Sequence, residues 1–538
     1  MNAEEACHAI CNSLNDSDSE ECLDRDSSEE DDELEEQLCA DDEDASLSAY
    51  SESADYDRSS SLVFSKDKKH SYSTVPGNAS IRTPAANIFT KMPGFTKRAL
   101  NNGFSALDAF NMFVSKEIKE QILRSTNAFI SSSENAVKSL EMHEIDNFLG
   151  VILLIGLLKG KNSYRREFWS KEYGIEAIKS SMKMTRFELM CAKLRFDQRA
   201  MRNERDPLAP IRLIFETFIE NCRRNYIPSE QMTIDEQLVT FRGRCKFRMY
   251  IPSKPGCYGI NIWALCDAKS AYFYNAEIYS GKKLHSPEKN QGENVVKSLS
   301  IPIYNSGRNI TTDNFFTTMS LARFLLDQRL TIVGTVRKNK TFLPVEFQSS
   351  KGNEGDVTFL FQDKLTLVKY NGKKNKSVVL LSTQHHYPEI NETTKKPEII
   401  HYYNATKGGV DTIDQIVRFH SCKRATRRWP MALFYNIIDI AAYNAFLLYI
   451  EKNPEFSLKH KKQSRRQFLK ILTNSLLTAI PNDGTPAKRD KPERGSCAIC
   501  QGGKRPRSRV ACDICLRFVC DSHRKSAIIC RDCTLNEN

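Results

Sequence analysis

Apolar positions recur at every third and fourth residue from about Phe104 to Asn203, in runs such as FSALDAFNMFVSKEIKEQILRSTNAFI and IDNFLGVILLIGLLKG. That spacing sets them on one face of successive helices. The period then changes. YGINIWALCDAKSAYFYNAEIY reads as two strands around a short turn at Asp267–Ser270, and NITTDNFF as a further strand ending at Asp313. TTMSLARFLLDQ returns to helical spacing and LTIVGTVRKN to strand. Between about Thr341 and Asn404, DVTFLFQ, KLTLVKY, KSVVLLS and IIHYY are separated by Gly, Lys and Asn turns, which predicts a small β-rich insertion. Helix resumes with GVDTIDQIVRFH and again from Trp429. The apolar stretch Trp429–Ile450 approaches membrane-spanning length, but Asn436, Asp439 and Asn444 interrupt it, so no membrane partner is expected.

Composition changes the picture at the two ends. Residues 1–57 hold 22 Asp and Glu against a single Arg, too little apolar surface to offset chain entropy, and disorder is expected there. Residues 61–103 turn basic and carry Pro, Gly and Asn, as a linker would. The net charge of +11 therefore conceals a body of 77 basic and 45 acidic residues. Such a body calls for a polyanion, nucleic acid being the commonest, although ribosomal or membrane-surface binding fits the charge equally well. The acidic N-terminus shows no secretory leader, and 7 of the 17 cysteines crowd into Cys497–Cys533. Both features point to the cytosol or nucleus and to reduced, metal-binding thiols rather than disulfides. Lys488, Arg489, Lys491 and Arg494 read either as a nuclear import signal or as an ordinary basic linker.

Four acidic positions carry candidate chemistry. Asp267 and Asp313 each close a strand, while Asp411 and Asp414 lie one turn apart on the helix after Gly408-Gly409. Each has a plainer explanation: turn capping for Asp267, and complementing the helix dipole for Asp411 and Asp414. Together, two strand-end carboxylates and one on a later helix are the ingredients of an RNase H-like site holding two Mg²⁺ (or Mn²⁺) ions. At the C-terminus, Cys497, Cys500, Cys512, Cys515, Cys520, His523, Cys530 and Cys533 form four close pairs, enough for two tetrahedral Zn²⁺ sites. In a cross-brace, Cys497, Cys500, Cys520 and His523 share one ion and Cys512, Cys515, Cys530 and Cys533 the other; sequential pairing is the alternative. RING and PHD modules share this spacing, which keeps a chromatin or ubiquitin adaptor in view. Lys504, Arg505, Arg507 and Arg509 beside it suit phosphate contact better. Two further basic groups, Arg242, Arg244, Lys246 and Arg248, and Lys423, Arg424, Arg427 and Arg428, are either solvated surface or DNA contacts.

The strings TIDEQLVTFRGRCKFRMYIPSKPGCYGI (233–260), NITTDNFFT (309–317), LTIVGTVRKNK (330–340), YYNATKGGVDTIDQ (402–415) and RRWPMALFYNIIDIA (427–441) resemble the signature blocks of piggyBac-family DNA transposases. They occur in family order from about residue 104 onward. The resemblance implies an α/β scaffold: an RNase H-like catalytic domain (263–340 and 402–426) interrupted by the β-rich insertion (341–401). Helical dimerisation and DNA-binding segments (104–262 and 427–481) flank it. A linker (482–494) and a zinc-binding, transposon-end-recognising domain (495–538) follow, and the region 1–103 precedes. It further implies that Asp267, Asp313 and Asp411 are the catalytic triad with Asp414 in support. The reaction implied is nicking, hairpin formation and rejoining of double-stranded DNA at TTAA targets, by a nuclear homodimer. A descendant that has kept DNA binding but lost transposition is the alternative.

Overall fold

The computed structural model describes residues 62–77, 88–132, 137–160, 163–252, 254, 256–281, 290–478, 495–500, 506–508, 510 and 518–523. The acidic region 1–57, the basic stretch 488–494, and Cys512, Cys515, Cys530, Cys533, Lys504, Arg505 and Arg509 lie outside these residues. The chain divides into two compact units, 1–479 and 480–538.

The first unit is built on an 11-stranded sheet. Its strands are β1 (Leu62–Phe64), β2 (Ser71–Ser73), β3 (Gln231–Thr240), β4 (Met249–Tyr250), β5 (Tyr258–Asp267), β6 (Phe273–Ile278), β7 (Asn309–Thr312), β8 (Thr331–Thr335), β9 (Val357–Gln362), β10 (Leu365–Lys373) and β11 (Lys376–Ser382). At the centre the order is β6-β5-β3-β7-β8. β5 runs antiparallel to both β6 and β3, whereas β7 and β8 run parallel to β3. β5, β7 and β8 are buried almost throughout, as strands covered on both faces must be.

The principal helices are α1 (Ala106–Asn111), α2 (Lys116–Ser131), α3 (Met142–Leu157), α4 (Met184–Lys193), α5 (Arg212–Asn225), α6 (Gln291–Ser300), α7 (Met319–Asp327), α8 (Glu398–Thr406), α9 (Gly409–Phe419), α10 (Trp429–Lys452) and α11 (Ser464–Leu476). α10 is long and apolar enough to cross a membrane by length and composition, but it is buried on all sides in the protein core. It packs on α1, α9 and β3. The polar residues that interrupt it are its attachment points. Asn436 donates to Gln237 of β3 at 2.8 Å, and Asn444 accepts from and donates to the backbone of Phe273 on β6 at 3.2 and 3.0 Å. Asp439 accepts from the Cys422 amide and the Ser421 hydroxyl.

Three expectations about boundaries change. Three of the strands expected in 341–401 are present and continue the main sheet, β11 pairing with β8 through Val333↔Ser382 and β10 and β9 extending it outward, whereas IIHYY, expected as the fourth, lies in helix α8. An open edge beyond β8 offers unpaired backbone groups that the next hairpin satisfies. Second, part of the supposed linker is strand. β1 and β2 form a hairpin that reaches the far edge at Phe361↔Ser73, held by buried Tyr72, whose hydroxyl donates to the Phe342 carbonyl at 2.7 Å. Runs of three residues are too short to register as strands in a sequence. Third, the five central strands begin at Gln231, not near residue 263, because β3 is the middle one of them.

Candidate active site

β7 stops at Thr312, which pairs with Ile234 of parallel β3. The next residue of each strand is an aspartate, so Asp313 and Asp235 stand side by side where β7 ends and β3 continues. Residues 233, 235 and 237 alternate onto one face of β3, and that face is covered by α8 and α9. Thr233 donates to the Thr406 carbonyl at 2.6 Å, and Gln237 donates to Asp414 at 3.2 Å. Asp414 is also paired with Arg418. Gly409 makes the approach possible: a Cβ there would lie 2.7 Å from Thr233 Oγ1 and 3.3 Å from Ala268 Cα. The first turn of α9 can therefore sit against β3, and it carries Asp411 to the same end as Asp235 and Asp313. Lys254, in the turn between β4 and β5, reaches Asp411 at 3.2 Å.

These carboxylates burden one another. Burial, and then Asp411 and Asp313, push the Asp235 carboxyl well above the usual range, with Lys254 opposing. Burial and then Glu236 raise Asp313 to about 6, although the amides of Phe315 and Phe316 and the Arg337 guanidinium pull the other way. Glu236 is raised by burial and by Asp411. Burial alone would depress the Lys254 ammonium, but Asp411, Asp235 and Glu236 raise it. Negative charge is thus concentrated beyond what the nearby cations balance. A set of hard oxygen donors with that imbalance fits a divalent cation such as Mg²⁺ or Mn²⁺.

Asp267 is not part of this group. β5 is antiparallel to β3, so its C-terminal end lies at the start of β3: Asp267 pairs with Met232, while Asp235 pairs with Ala264. Three residues of strand, roughly 10 Å, separate the two aspartates along the sheet. Asp267 is fully buried and caps its turn, accepting from the amides of Ser229, Lys269 and Ser270 at 2.6, 3.0 and 3.1 Å and from Tyr226 Oη at 3.3 Å. Asp235 replaces it beside Asp313 and Asp411. The quoted block TIDEQLV contained it, but a mid-strand aspartate reads in sequence as a solvent-facing position.

The basic residues also divide. Arg242, Arg244, Lys246, Arg248 and Arg427 line one open cleft of about 1760 Å³ together with Arg202, Arg205 and Trp429. Lys423 instead reaches the Thr240 carbonyl. Arg424 is buried and donates to the carbonyls of Gly160 and Ser163. Arg428 closes the C-terminal end of α4 through the carbonyls of Cys191, Ala192 and Leu194. Arg424 and Arg428 are therefore fold-holding residues rather than surface for a DNA strand. In the second unit, Arg507 is exposed on a two-residue strand. Cys497, Cys500, Cys520 and His523 bring their ligand atoms within 4.8 Å of one another. The Sγ atoms of Cys500 and Cys520 are 3.8 Å apart, and His523 Nδ1 lies 3.7, 3.5 and 3.3 Å from Cys497, Cys500 and Cys520. A tetrahedron with Zn–S bonds of about 2.3 Å has edges of about 3.8 Å, so these four residues fit one Zn²⁺. They are the first and third pairs, the cross-brace combination.

A family model described as Transposase IS4 matches residues 105–446, the span that contains α1–α9, β3–β11 and most of α10. Within that class, the chain belongs to the piggyBac transposase family. It is 35% identical to the protein in a cryo-EM structure of the piggyBac transposase synaptic complex with hairpin DNA, with a TM-score of 0.68, and the match covers 82% of this chain and 100% of that one. Among human proteins, PiggyBac transposable element-derived protein 3 is 22% identical over 426 residues, 74% of this chain and 69% of that protein. PiggyBac transposable element-derived protein 2 is 22% identical over 373 residues, 64% of this chain and 61% of that protein.

Proposed function

We propose that this chain is a cut-and-paste DNA transposase in which Asp235, Asp313 and Asp411 form the catalytic triad of an RNase H-like domain. The strand order β6-β5-β3-β7-β8, antiparallel and then parallel about β3, supports that domain reading. The carrying observation is the convergence of three carboxylates from two neighbouring parallel strands and one helix. Asp235, Asp313 and Asp411 would hold the divalent ions, which polarise the attacking hydroxyl and stabilise the leaving oxygen of a phosphodiester. The chain's own work is positional. β3 and β7 fix two donors, Gly409 seats the third, and Asp414, Gln237 and Asn436 tie α9, β3 and α10 together behind them. Lys254, ion-paired with Asp411, would offer its ammonium to the non-bridging oxygens of a phosphate held there. The arginine-lined cleft would follow the DNA backbone by charge.

The sequence resemblance and the hairpin DNA of the related synaptic complex support the rest: water nicks the transposon end, the freed 3′-hydroxyl attacks the opposite strand to give a hairpin, and opened ends join at TTAA. A nuclear homodimer, and a C-terminal unit holding two Zn²⁺, complete the proposal. The test incubates the purified full chain with Mg²⁺ and a labelled transposon end flanked by TTAA. Nicks and hairpins should form with the wild type and vanish with Asp235→Ala and Asp313→Ala. Binding of that DNA without any cleavage would instead favour a chain retired from transposition.

A further inference from the structure

β4 and the start of β5 make a short ribbon at one corner of the sheet, and its side chains are unusual for an edge. Tyr250 and Tyr258 are direct cross-strand partners. Their rings lie 4.7 Å apart, and the Arg248 guanidinium sits 5.2 Å from the Tyr258 ring centre. Both rings are open to solvent, Tyr250 at 58% and Tyr258 at 39% exposure, while most large aromatic side chains of this unit are buried. Arg248 is itself fixed, donating to the carbonyls of Arg242 and Gly243 at 2.9 and 3.1 Å.

The register places this group. Asp235 pairs with Ala264, and residues 264, 262, 260 and 258 alternate onto the same face of β5. Tyr258 and its partner Tyr250 therefore belong to the sheet face that bears Asp235 and is covered by α9. Lys254, between the two strands, reaches Asp411. On the other side, Arg248 belongs to the arginine-lined cleft. The aromatic pair thus lies between the arginine-lined cleft and the carboxylates, within a few nucleotides' reach of them.

From this geometry we infer that Tyr250 and Tyr258, with Arg248 beside them, form a stacking platform for an unpaired nucleobase of the DNA end being processed. The inference rests on the DNA-cleaving reading of the neighbouring carboxylates and adds a strand-state preference to it. Opening a duplex end leaves bases without neighbours, and an exposed aromatic face with an adjacent guanidinium offers each of them a sequence-tolerant replacement. A fully paired duplex has no free base face to offer. The platform therefore favours ends that carry unpaired bases, the product of cutting, over intact DNA.

The test uses the full chain with Ca²⁺ and two fluorescent duplexes, one blunt and one with a four-nucleotide overhang containing 2-aminopurine. Wild-type protein should quench the 2-aminopurine on binding and prefer the overhang. Tyr250→Ala with Tyr258→Ala should abolish the quenching and weaken the overhang complex by about tenfold, while blunt-duplex binding changes less than about twofold. Tyr250→Phe with Tyr258→Phe, which keeps the rings, should retain quenching and preference. Equal losses on both duplexes, unchanged quenching in the double Ala variant, or a Phe variant that behaves like Ala would overturn the platform. If the wild type binds both duplexes but stays inert with Mg²⁺, the cleavage reading fails on its own; if it binds neither, both readings fail. Thermal melting of each variant confirms that the exposed substitutions leave the fold intact.

Discussion

Exchanging two aspartates separates the catalytic group from the structural one. Asp267 is buried and accepts three backbone amides and one phenol. Asp267→Ala leaves those donors unpaired in the interior. Hydrogen bonds to a charged acceptor contribute about 1.5–3 kcal/mol each, and allowing for non-additivity the loss is roughly 3–5 kcal/mol. Asp235 is the opposite case. Burial and the neighbouring carboxylates already disfavour its charge, so Asp235→Asn should leave stability unchanged or slightly higher. Its effect falls on the reaction, where losing one group that organises transition-state charge costs about 10²–10³-fold in rate or more. Urea unfolding of both variants, read beside DNA nicking with Mg²⁺, gives the comparison. Asp267→Ala should unfold early. Asp235→Asn should unfold like the wild type and fail to nick. A stable but nicking-dead Asp267→Ala, or an Asp235→Asn that nicks normally, would refute the reasoning.

Other outcomes follow from the same geometry. Gly409→Ala places a methyl against Thr233, so α9 must shift; nicking should fall by at least about tenfold for an overpacking cost of about 1–3 kcal/mol, read by kinetics and unfolding. Arg428→Ala should lower stability by roughly 1–3 kcal/mol and leave the salt dependence of DNA binding unchanged, whereas Arg242→Ala should spare stability and reduce the logarithmic salt slope by about 1. His420 is buried near Arg465, Arg466 and Lys159, and burial first and those cations second lower its pKa to about 3. The unfolded chain then binds a proton on His420 below about pH 6.5 that the folded chain refuses. Its contribution to stability is fully present above pH 6.5 and lost as pH falls toward 3, about 2 kcal/mol by pH 5. His420→Gln should flatten that acid limb in urea titrations at pH 7.5 and 5.

Much of the fold was legible because it is local. The Asp267–Ser270 turn, the strand ending at Asp313, the helix that begins at Gly409 and the long helix from Trp429 are each specified by spacing within a dozen residues. What sequence could not supply was direction. Asp267 and Asp313 both end strands, but one strand is antiparallel to β3 and the other parallel, so the two aspartates are held three residues apart along the sheet. Asp235 went unseen for the converse reason: it is mid-strand, and only the early stop of β7 makes it part of the site. Burial of cations was hidden in the same way. Arg424 and Arg428 sit in one basic run with exposed Arg427, yet their partners are carbonyls more than 200 residues away. The hairpin β1–β2 depends on an edge formed by β9, which nothing near residue 62 announces. The cysteine spacing, by contrast, carried its own geometry, and the four described ligands meet as the cross-brace requires.

The central claim is that Asp235, Asp313 and Asp411 hold the divalent ions at which DNA is cut. Crystals of the full chain soaked in Mn²⁺ and recorded at the manganese absorption edge test it most directly. An anomalous peak bounded by Asp235, Asp313 and Asp411, absent in Asp235→Asn, is the predicted result. No peak there, or a peak at the Asp267 turn instead, would contradict the account.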